Sequence, residues 1–181
     1  NPLGTPSGKI EIYSDVIAKM NYDDCKGHAS WMEPEEFAGN VTQEYPLALV
    51  TPHPYYRLHS QLAHTSLRQK YAVNDREPVM IHPEDAAARG KRGQVLAGAV
   101  VTENIIKGTV ALHEGAWYDP MDLGESEKPL CKNGCPNVLT RDEGTSKLAQ
   151  GNSPNTCIVQ VEKFVGQAPE VTVFKQPKHA A

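Results

Sequence analysis

GQVLAGAVVTENI, residues 93–105, is an apolar segment that we interpret as a long β-strand, and it decides the fold predicted for this chain. Similar segments, rich in aliphatic residues and bounded by proline, glycine or polar residues, lie on both sides of it. They are YPLALVT (45–51), EPVMIHP (77–83), VALHEG (110–115) and TCIVQVEKF (156–164). Many strands beside one well-marked helix, PEDAAARG (83–90), predict a mainly β domain with short helices, closed or nearly closed into a barrel.

The ends of the chain differ from this β-rich middle. KIEIYSDVIAKM (9–20) is predicted to form a short strand that leads into a helix, and irregular sequence with one helical turn at PEEF (34–37) follows. We therefore predict three regions. Residues 1–44 are the tail of a preceding domain or a connector, residues 45–165 are the β domain, and residues 166–181 are a peripheral tail.

Composition narrows the classes of partner. The 181 residues carry a net charge of −4, so the basic surface typical of a nucleic-acid-binding domain is not indicated. No apolar run approaches the roughly 20 residues that a membrane-spanning helix needs. We expect neither a nucleic-acid partner nor a membrane span.

The four cysteines do not have the spacing of a zinc site. Cys131 and Cys135 enclose KNG, and Cys25 and Cys157 stand alone. Free thiols and a disulfide between Cys131 and Cys135 both remain open.

Two long polar loops, residues 53–76 and 113–155, interrupt the predicted strands. Loops on a rigid scaffold usually carry function, and the first includes YYRLHSQLAHTSLRQKY (55–71), which has many polar side chains and few apolar ones.

The common catalytic patterns are absent from these loops. His53, His59 and His64 have neither of the usual metal-ligand spacings, and Ser146 lacks the sequence context of a serine nucleophile. The glycine-rich nucleotide loops are missing as well. We predict no catalytic residue and no metal ligand within this chain.

The loop residues suit the binding of a long, polar, phosphorylated ligand. Arg57 and Arg68 have the planar fork that grips phosphate, and side-chain amides offer a donor beside an acceptor, as a base or pterin edge requires. The amides are Gln61, Asn137 and Gln150, and the Gly144-Thr145-Ser146 stretch adds donors that could approach an anion. The alternative is that these side chains only cap turns.

Four long segments resemble the C-terminal end of the dimethyl-sulfoxide reductase family, and within it the periplasmic trimethylamine-N-oxide reductases. The resemblance extends from about Thr5 to Lys163. The segments are TPSGKIEIYSD (5–15), YRLHSQLAHTSLRQKYAVNDREPVMIHPEDAAARG (56–90), RGQVLAGAVVTENIIKGTVALHEGAWYDP (92–120) and NVLTRDEGTSKLAQGNSPNTCIVQVEK (137–163).

This resemblance implies a cofactor, a set of partners and a compartment. The family binds molybdenum between two molybdopterin guanine dinucleotides and reduces N-oxides or S-oxides with electrons from a c-type cytochrome. Its C-terminal domain is a six-stranded barrel of double-psi type that covers the cofactor. The implied location is the periplasm, and the implied partner is the remainder of the parent enzyme. That remainder supplies the serine ligand of the metal, so this chain alone is expected to be inactive.

The resemblance also implies site residues. Trp117 matches a position near the substrate funnel, although a role as a packing anchor is an equal alternative. The residues expected to contact the cofactor are His53, Arg57, His59, Ser60, Gln61, Asn137 and Gln150.

The chain departs from the family after Gly90, where relatives carry about a dozen more residues before the sequence RGQVLAG. One strand of the barrel is therefore expected to be missing, which would leave the neighbouring strand with an unpaired edge. Two other functions remain open: a dimethyl-sulfoxide or biotin-sulfoxide reductase of the same family, and a β-barrel module that binds a ligand without catalysis.

Overall fold

The computed structural model describes residues 1–85, 93–121 and 130–176. The chain divides into two compact units, one formed by Asn1–Pro34 with Asp142–Ser153 and the other by Glu35–Arg141 with Pro154–Ala181. All the β-strands formed by these described residues belong to the second unit, which we call the β unit. The predicted mainly β class is confirmed, whereas the domain boundaries after residues 44 and 165 stay a prediction.

A five-stranded mixed sheet forms the centre of the β unit. Its strands lie in the order β4-β2-β5-β1-β8. β1 runs parallel to β5 and antiparallel to β8, while β2 runs parallel to β4 and antiparallel to β5. The strands are β1 (Leu47–Val50), β2 (Pro78–Ile81), β4 (Gly98–Val101), β5 (Thr109–Leu112) and β8 (Cys157–Val159).

Three strands of this sheet, including the edge strand β8, are apolar because both of their faces are covered. Successive residues of β1, β5 and β8 are buried, and Leu49, Leu112 and Ile158 are each only 1% exposed. Strands enclosed in this way have near-continuous apolar sequence rather than strict alternation. At the edge of the sheet, β4 contains both buried and exposed residues, and Val101 is 56% exposed.

Residues 93–105 do not form the single strand that their sequence predicts. They form two strands in different sheets, β3 (Gln94–Val95) and β4 (Gly98–Val101). The N–H of Leu96 donates to the carbonyl of Cys131 (2.8 Å), whereas the N–H of Gly98 donates to the carbonyl of Glu77 (2.9 Å). The chain therefore changes hydrogen-bonding partner at residue 97. Glycine is needed at position 98, because a Cβ there would lie only 2.2 Å from Cβ of Val73 and would prevent this close approach.

A second, smaller sheet contains two strands that sequence reasoning missed. Its order is β3-β7-β6, with β6 at Pro120–Met121 and β7 at Leu130–Cys131. Both lie in the segment predicted to be one long loop. Each is only two residues long, so neither has enough residues to show an alternating pattern.

Helices are few and short among the described residues. The helix predicted within residues 9–20 is confirmed as α1 (Asp15–Lys19), where the hydroxyl of Ser14 accepts from the N–H of Ile17 (3.3 Å). The predicted strand before it is wrong, because residues 9–13 pair with no strand. Three 3₁₀ helices lie in the β unit, at Ser66–Lys70, Pro83–Asp85 and Pro136–Val138.

Two other helical predictions have different outcomes. Only the start of the helix predicted over residues 83–90 is described, as Pro83–Asp85, and residues 86–90 lie outside the described residues. The helical turn predicted at residues 34–37 is a bend instead. No helix in the described part of the chain is long and apolar enough to cross a membrane.

The sheets do not close into a barrel within the described residues, and β4 and β8 are the edges of the larger one. The strand expected to be missing between Gly90 and Lys91 falls outside those residues. All four cysteines are free thiols, so Cys131 and Cys135 form no disulfide here.

Candidate functional site

The first polar loop turns sharply while keeping most of its polar side chains exposed. His59 and Leu62 adopt left-handed backbone conformations, with φ of +48° and +65°. The N–H of Gln61 donates to the carbonyl of Leu58 (2.9 Å), and Ala63 is completely buried. The loop is therefore fixed by its backbone and by one small apolar anchor.

A buried charge cluster lies beneath this loop. Glu77, at 0% exposure, receives Nη2 of Arg57 on one carboxylate oxygen (3.0 Å) and Nη1 of Arg68 on the other (2.8 Å). Nη2 of Arg68 also donates to Oδ1 of Asn133 (2.6 Å). Because buried charges are stable only when they are paired and hydrogen-bonded, these four side chains act as one unit.

Arg57 joins the two polar loops. Its Nη1 donates to the backbone carbonyl of His59 in the first loop and to that of Glu114 in the second (2.6 Å). The approach is so close that a Cβ on Gly115, whose φ is +78°, would lie 2.2 Å from the carbonyl carbon of His59. Only glycine fits this position without displacing the first loop.

Two histidines contact one carboxylate at the exposed side of this junction. Nδ1 of His53 and Nδ1 of His59 each lie 2.6 Å from Oε1 of Glu114. The two imidazole rings meet edge to face, with centroids 5.0 Å apart. The N–H of Glu114 donates to the carbonyl of Pro52 (3.2 Å), which ties the carboxylate's backbone to the residue before His53. We call His53, His59 and Glu114 the His–Glu–His cluster.

Trp117 is held by packing and by one hydrogen bond to the first loop. Its Nε1 donates to the carbonyl of Ser60 (2.8 Å), and its ring packs against His64 and Phe174 at centroid distances of 5.7 and 5.4 Å. Phe174 also lies under the guanidinium of Arg68 (4.5 Å). These contacts support a packing role for Trp117.

The predicted tail is attached to this side of the β unit. The carboxylate of Asp119 accepts from the N–H of Thr172 (2.7 Å) and from its hydroxyl (2.8 Å), and Lys132 lies 3.2 Å away. Burial tends to raise the pKa of Asp119, but these bonds outweigh it and the pKa is lowered overall.

Burial shifts two further groups near the charge cluster. The half-buried His113 has a lowered pKa, mainly because desolvation disfavours its charged form, with Glu77 opposing the shift and Arg57 adding to it. Desolvation raises the pKa of the Cys135 thiol to about 11. The thiolate of Cys135 is therefore disfavoured, and its buried thiol is unreactive.

The structure places some of the predicted site residues together at the surface, whereas it buries another, Arg57. His53 and His59 meet at Glu114, and Ser60 and Gln61 follow them with exposed side chains. Arg57 is fully buried, and its two Nη groups are used within the protein. The predicted cofactor contacts themselves stay predictions.

Asn137 and Gln150 are each described within their own unit. Asn137 is exposed in the 3₁₀ helix Pro136–Val138 of the β unit. Gln150 belongs to the other unit, where its Nε2 donates to the carbonyl of Ser146 (3.3 Å). Oε1 of Gln150 also lies 2.4 Å from the point that a Cβ on Gly144 would occupy. Its side chain therefore caps its own turn.

Sequence reasoning missed Glu114, Glu77 and Asn133. Glu114 and Glu77 follow or precede apolar strand residues, where a carboxylate is ordinarily solvated. The one available signal was the excess of arginine in the first loop, because a buried arginine requires a carboxylate partner. Nothing local to the sequence says which carboxylate provides it.

Comparison with protein families gives a match over residues 47–158 to the family described as "Molydopterin dinucleotide binding domain". This range contains the His–Glu–His cluster, the buried charge cluster, seven of the eight described strands and all but the last residue of β8. The match ends one residue before β8 ends.

Several curated relatives align with almost the whole chain. It is 87% identical to "Trimethylamine-N-oxide reductase" of Haemophilus influenzae over 192 aligned positions, which cover 100% of this chain. It is 53% identical to "Dimethyl sulfoxide/trimethylamine N-oxide reductase" of Cereibacter sphaeroides over 99% of the chain, and 54% identical to "Trimethylamine-N-oxide reductase 1" of Escherichia coli K12 over 94%. The chain spans only 22–23% of the length of these relatives.

A solved structure has the same fold. Acetylene hydratase from Pelobacter acetylenicus superposes with a TM-score of 0.67 over 90% of this chain and 24% of its own, at 18% sequence identity. This similarity concerns the fold alone.

Proposed function

We propose, because the chain belongs to the molybdopterin dinucleotide binding domain family, that it is the C-terminal cofactor-binding part of a molybdenum enzyme that reduces trimethylamine N-oxide. The support is the family match together with the 87% identity to a trimethylamine-N-oxide reductase. The chain contributes binding surface, and the redox chemistry of N-oxide reduction is supplied by the molybdenum–pterin group when it is bound. By itself the chain is inactive, since it provides only one side of that site.

The observation that carries this proposal is the first loop, which presents exposed polar side chains and is held by hydrogen bonds to its backbone carbonyls. The exposed side chains are those of His53, His59, Ser60 and Gln61. Arg57 and Trp117 fix the backbone of this loop by donating hydrogen bonds to its carbonyls. A fixed row of imidazole, hydroxyl and amide groups fits the edge of a pterin or guanine ring, which alternates donors and acceptors. The residues present therefore fit a dinucleotide of this class.

Arg57 contributes to this site indirectly. Its guanidinium is enclosed between Glu77 and two backbone carbonyls, so it shapes the loop and is not available to grip a phosphate with both Nη groups. The ligand contacts are assigned to the side chains that this loop exposes.

The remaining features of the parent enzyme follow from its resemblance to periplasmic trimethylamine-N-oxide reductases. We propose a periplasmic location, a role in anaerobic respiration and a c-type cytochrome as electron donor. We also propose that the five-stranded sheet belongs to a six-stranded barrel of double-psi type. The alignment with the Haemophilus influenzae relative has 192 positions, whereas this chain has 181 residues. The difference supports the proposal that this chain lacks a segment that the relative contains.

The test is metal and nucleotide analysis of the complete protein that contains this chain. We expect molybdenum and guanine dinucleotide in a ratio of about 1:2, together with reduction of trimethylamine N-oxide. Protein that is folded and free of molybdenum would instead support a non-catalytic binding module.

A second substrate class is supported by the 53% identity to a reductase named for dimethyl sulfoxide as well as for the N-oxide. Rates with trimethylamine N-oxide, dimethyl sulfoxide and biotin sulfoxide, measured on the same preparation, separate these alternatives. A higher kcat/KM for either S-oxide would overturn the assignment to the N-oxide.

A further inference from the structure

Residues 169–175, which we call the tail segment, are fixed to the β unit at two points. The carbonyl of Pro169 accepts from Nη2 of Arg76, a residue 93 positions earlier. Three residues further on, the N–H and the hydroxyl of Thr172 both donate to the carboxylate of Asp119, at 2.7 and 2.8 Å. The tail segment is therefore attached to two parts of the β unit that are distant from it in sequence.

The attachment at Thr172 is shielded from solvent on the side of its partners. The side chains of Asp119 and Lys132 are only 5% and 12% exposed, and they lie 3.2 Å apart. Nζ of Lys132 donates to the hydroxyl of Thr172 (2.8 Å), which in turn donates to Asp119. Hydrogen bonds that involve an ionised group are stronger than neutral ones. This attachment therefore fixes the backbone two residues before Phe174.

Phe174 lies between side chains from the two polar loops. Its ring packs against the indole of Trp117, which belongs to the second loop, with centroids 5.4 Å apart. The guanidinium carbon of Arg68, which belongs to the first loop, lies 4.5 Å from the centroid of the same ring. Pairs of aromatic rings and cation–π contacts both stabilise the arrangement in which they form. Phe174 therefore favours one relative position of Trp117 and Arg68.

Trp117 depends on Phe174 for part of its support. Nε1 of Trp117 donates to the carbonyl of Ser60 (2.8 Å), and its ring packs against both His64 and Phe174. His64 belongs to the first loop itself, so it moves when that loop moves. Phe174 lies outside the loop, and it can hold the indole in place independently of the loop.

Arg68 connects Phe174 to the carbonyl that precedes Ser60 in the first loop. Arg68 and Arg57 share the buried carboxylate of Glu77, and Arg57 donates to the carbonyl of His59. The carbonyls of residues 59 and 60 are thus held by two different side chains. Phe174 contacts one of these directly and the other through the buried charge cluster.

We propose that Phe174 is a positioning residue for dinucleotide binding. Held by the tail segment, it keeps Trp117 and Arg68 in place, and they keep the backbone of residues 59 and 60 in its binding conformation. Phe174 acts through these side chains and does not touch the ligand. This inference rests on the proposed function, and it gives the tail segment a role in cofactor retention.

Substitutions of Phe174 in the complete enzyme test this role. We expect Phe174→Ala to release guanine dinucleotide about tenfold faster than the unaltered enzyme, because it loses a ring pair and a cation–π contact. Phe174→Tyr keeps the ring and should release it at nearly the unaltered rate. Phe164→Ala is the matched control, since that ring is 45% exposed and lies outside the tail segment. Gel filtration of loaded enzyme followed by nucleotide analysis measures the release.

Hydrogen exchange of the dinucleotide-free enzyme separates positioning from a general loss of stability. The N–H of Gln61 donates to the carbonyl of Leu58 (2.9 Å), and that of Thr65 donates to the carbonyl of Leu62 (3.0 Å). Exchange of these amides reports the opening of the loop. We expect Phe174→Ala to accelerate exchange in residues 58–65 about tenfold and to leave β1 unchanged. A merely structural role would accelerate exchange in β1 as well.

A milder variant covers the case in which Phe174→Ala does not fold. Thr172→Val keeps the shape of an exposed side chain but removes the hydroxyl that bonds to Asp119 and Lys132. We expect it to accelerate dinucleotide release about 2- to 5-fold, with exchange again faster only in residues 58–65.

Three results would overturn the inference. They are unchanged release and exchange in Phe174→Ala, equal acceleration of exchange in β1, and failure of Phe174→Tyr to retain the dinucleotide. Absence of guanine dinucleotide from the unaltered enzyme would instead refute the proposed function. The exchange of residues 58–65 would still report whether Phe174 holds the loop, so the two failures are distinguishable.

Discussion

Nη1 of Arg57 lies 2.6 Å from the backbone carbonyl oxygen of Glu114, a residue 57 positions later in the sequence. The same nitrogen donates to the carbonyl of His59. One buried guanidinium therefore fixes the relative position of the two loop segments that contain the His–Glu–His cluster. Because Glu77 holds Arg57 from below, the geometry of this exposed cluster depends on a charge pair in the interior.

Removing the charge of Glu77 should destabilise the β unit severely. Glu77→Gln leaves Arg57 and Arg68 as buried cations without a carboxylate, a change that typically costs about 3–5 kcal/mol. Urea denaturation followed by circular dichroism measures the loss. The control is Glu84→Gln, because Glu84 and Lys107 form an ion pair on the surface and its removal should have little effect. Similar losses for the two variants would contradict the role of the buried cluster.

Gly115→Ala should be far more harmful than the same change at Gly108. Both glycines have left-handed backbone conformations, with φ of +78° and +81°, so both substitutions carry strain of about 1–3 kcal/mol. At Gly108 a Cβ meets nothing within 4 Å, whereas at Gly115 it would overlap the carbonyl group of His59. The difference between the two free energies of unfolding isolates the contact between the loops. Equal destabilisation would mean that the first loop moves away without cost.

The stability of the β unit should decrease as the pH falls below about 6.5, in part because of His113. Burial lowers the pKa of this residue in the folded state below its ordinary value of 6.5. The unfolded chain then binds more protons in that range, so acid favours unfolding. The His113→Gln variant cannot titrate at this position. Its melting temperature should therefore decrease less between pH 7.5 and 5.5 than that of the unaltered protein, and equal decreases would refute this contribution.

Gln61→Ala in the complete enzyme should weaken dinucleotide retention while leaving the fold intact. The side chain of Gln61 is exposed, and its substitution removes polar contacts to a ligand rather than core packing. The loss of one such contact corresponds to roughly a 2- to 10-fold decrease in affinity. Gln167→Ala is the matched control, since that amide is also exposed but lies outside the two polar loops. A lowered melting temperature with unchanged dinucleotide content would contradict this prediction.

The sequence predicted the strands of the main sheet well because burial determines their composition. Leu47–Val50 and Cys157–Val159 are apolar runs ended by polar residues, which is what a covered strand requires. The prediction failed at residues 96 and 97, where one apolar run is divided between strands of two different sheets. No local pattern indicates that Leu96 bonds to Cys131 while Gly98 bonds to Glu77, since both partners are distant in sequence.

The candidate site was predicted in part, and the missing part has a common physical cause. The exposed histidines and amides of the first loop were identified, because polar side chains crowded into a loop suggest a ligand. The residues that hold this loop in place were not identified. In the sequence Glu114 and Glu77 look like solvated carboxylates, and only the fold places them against Arg57. Arg57 itself was predicted to bind phosphate. In the structure it pairs with the buried Glu77 and donates to the carbonyls of the two polar loops.

The strand order of the main sheet also has a consequence for biosynthesis. β1, near the start of the β unit, lies between β5 and β8, and β8 is the last along the chain of the strands that the structure describes. Leu49 of β1 pairs with Cys157 of β8, so one flank of β1 stays open until the ribosome has released residues 157–159. Pairing between such distant segments also slows folding. The nascent domain therefore exposes a long-lived apolar edge, and we expect it to bind a chaperone during translation.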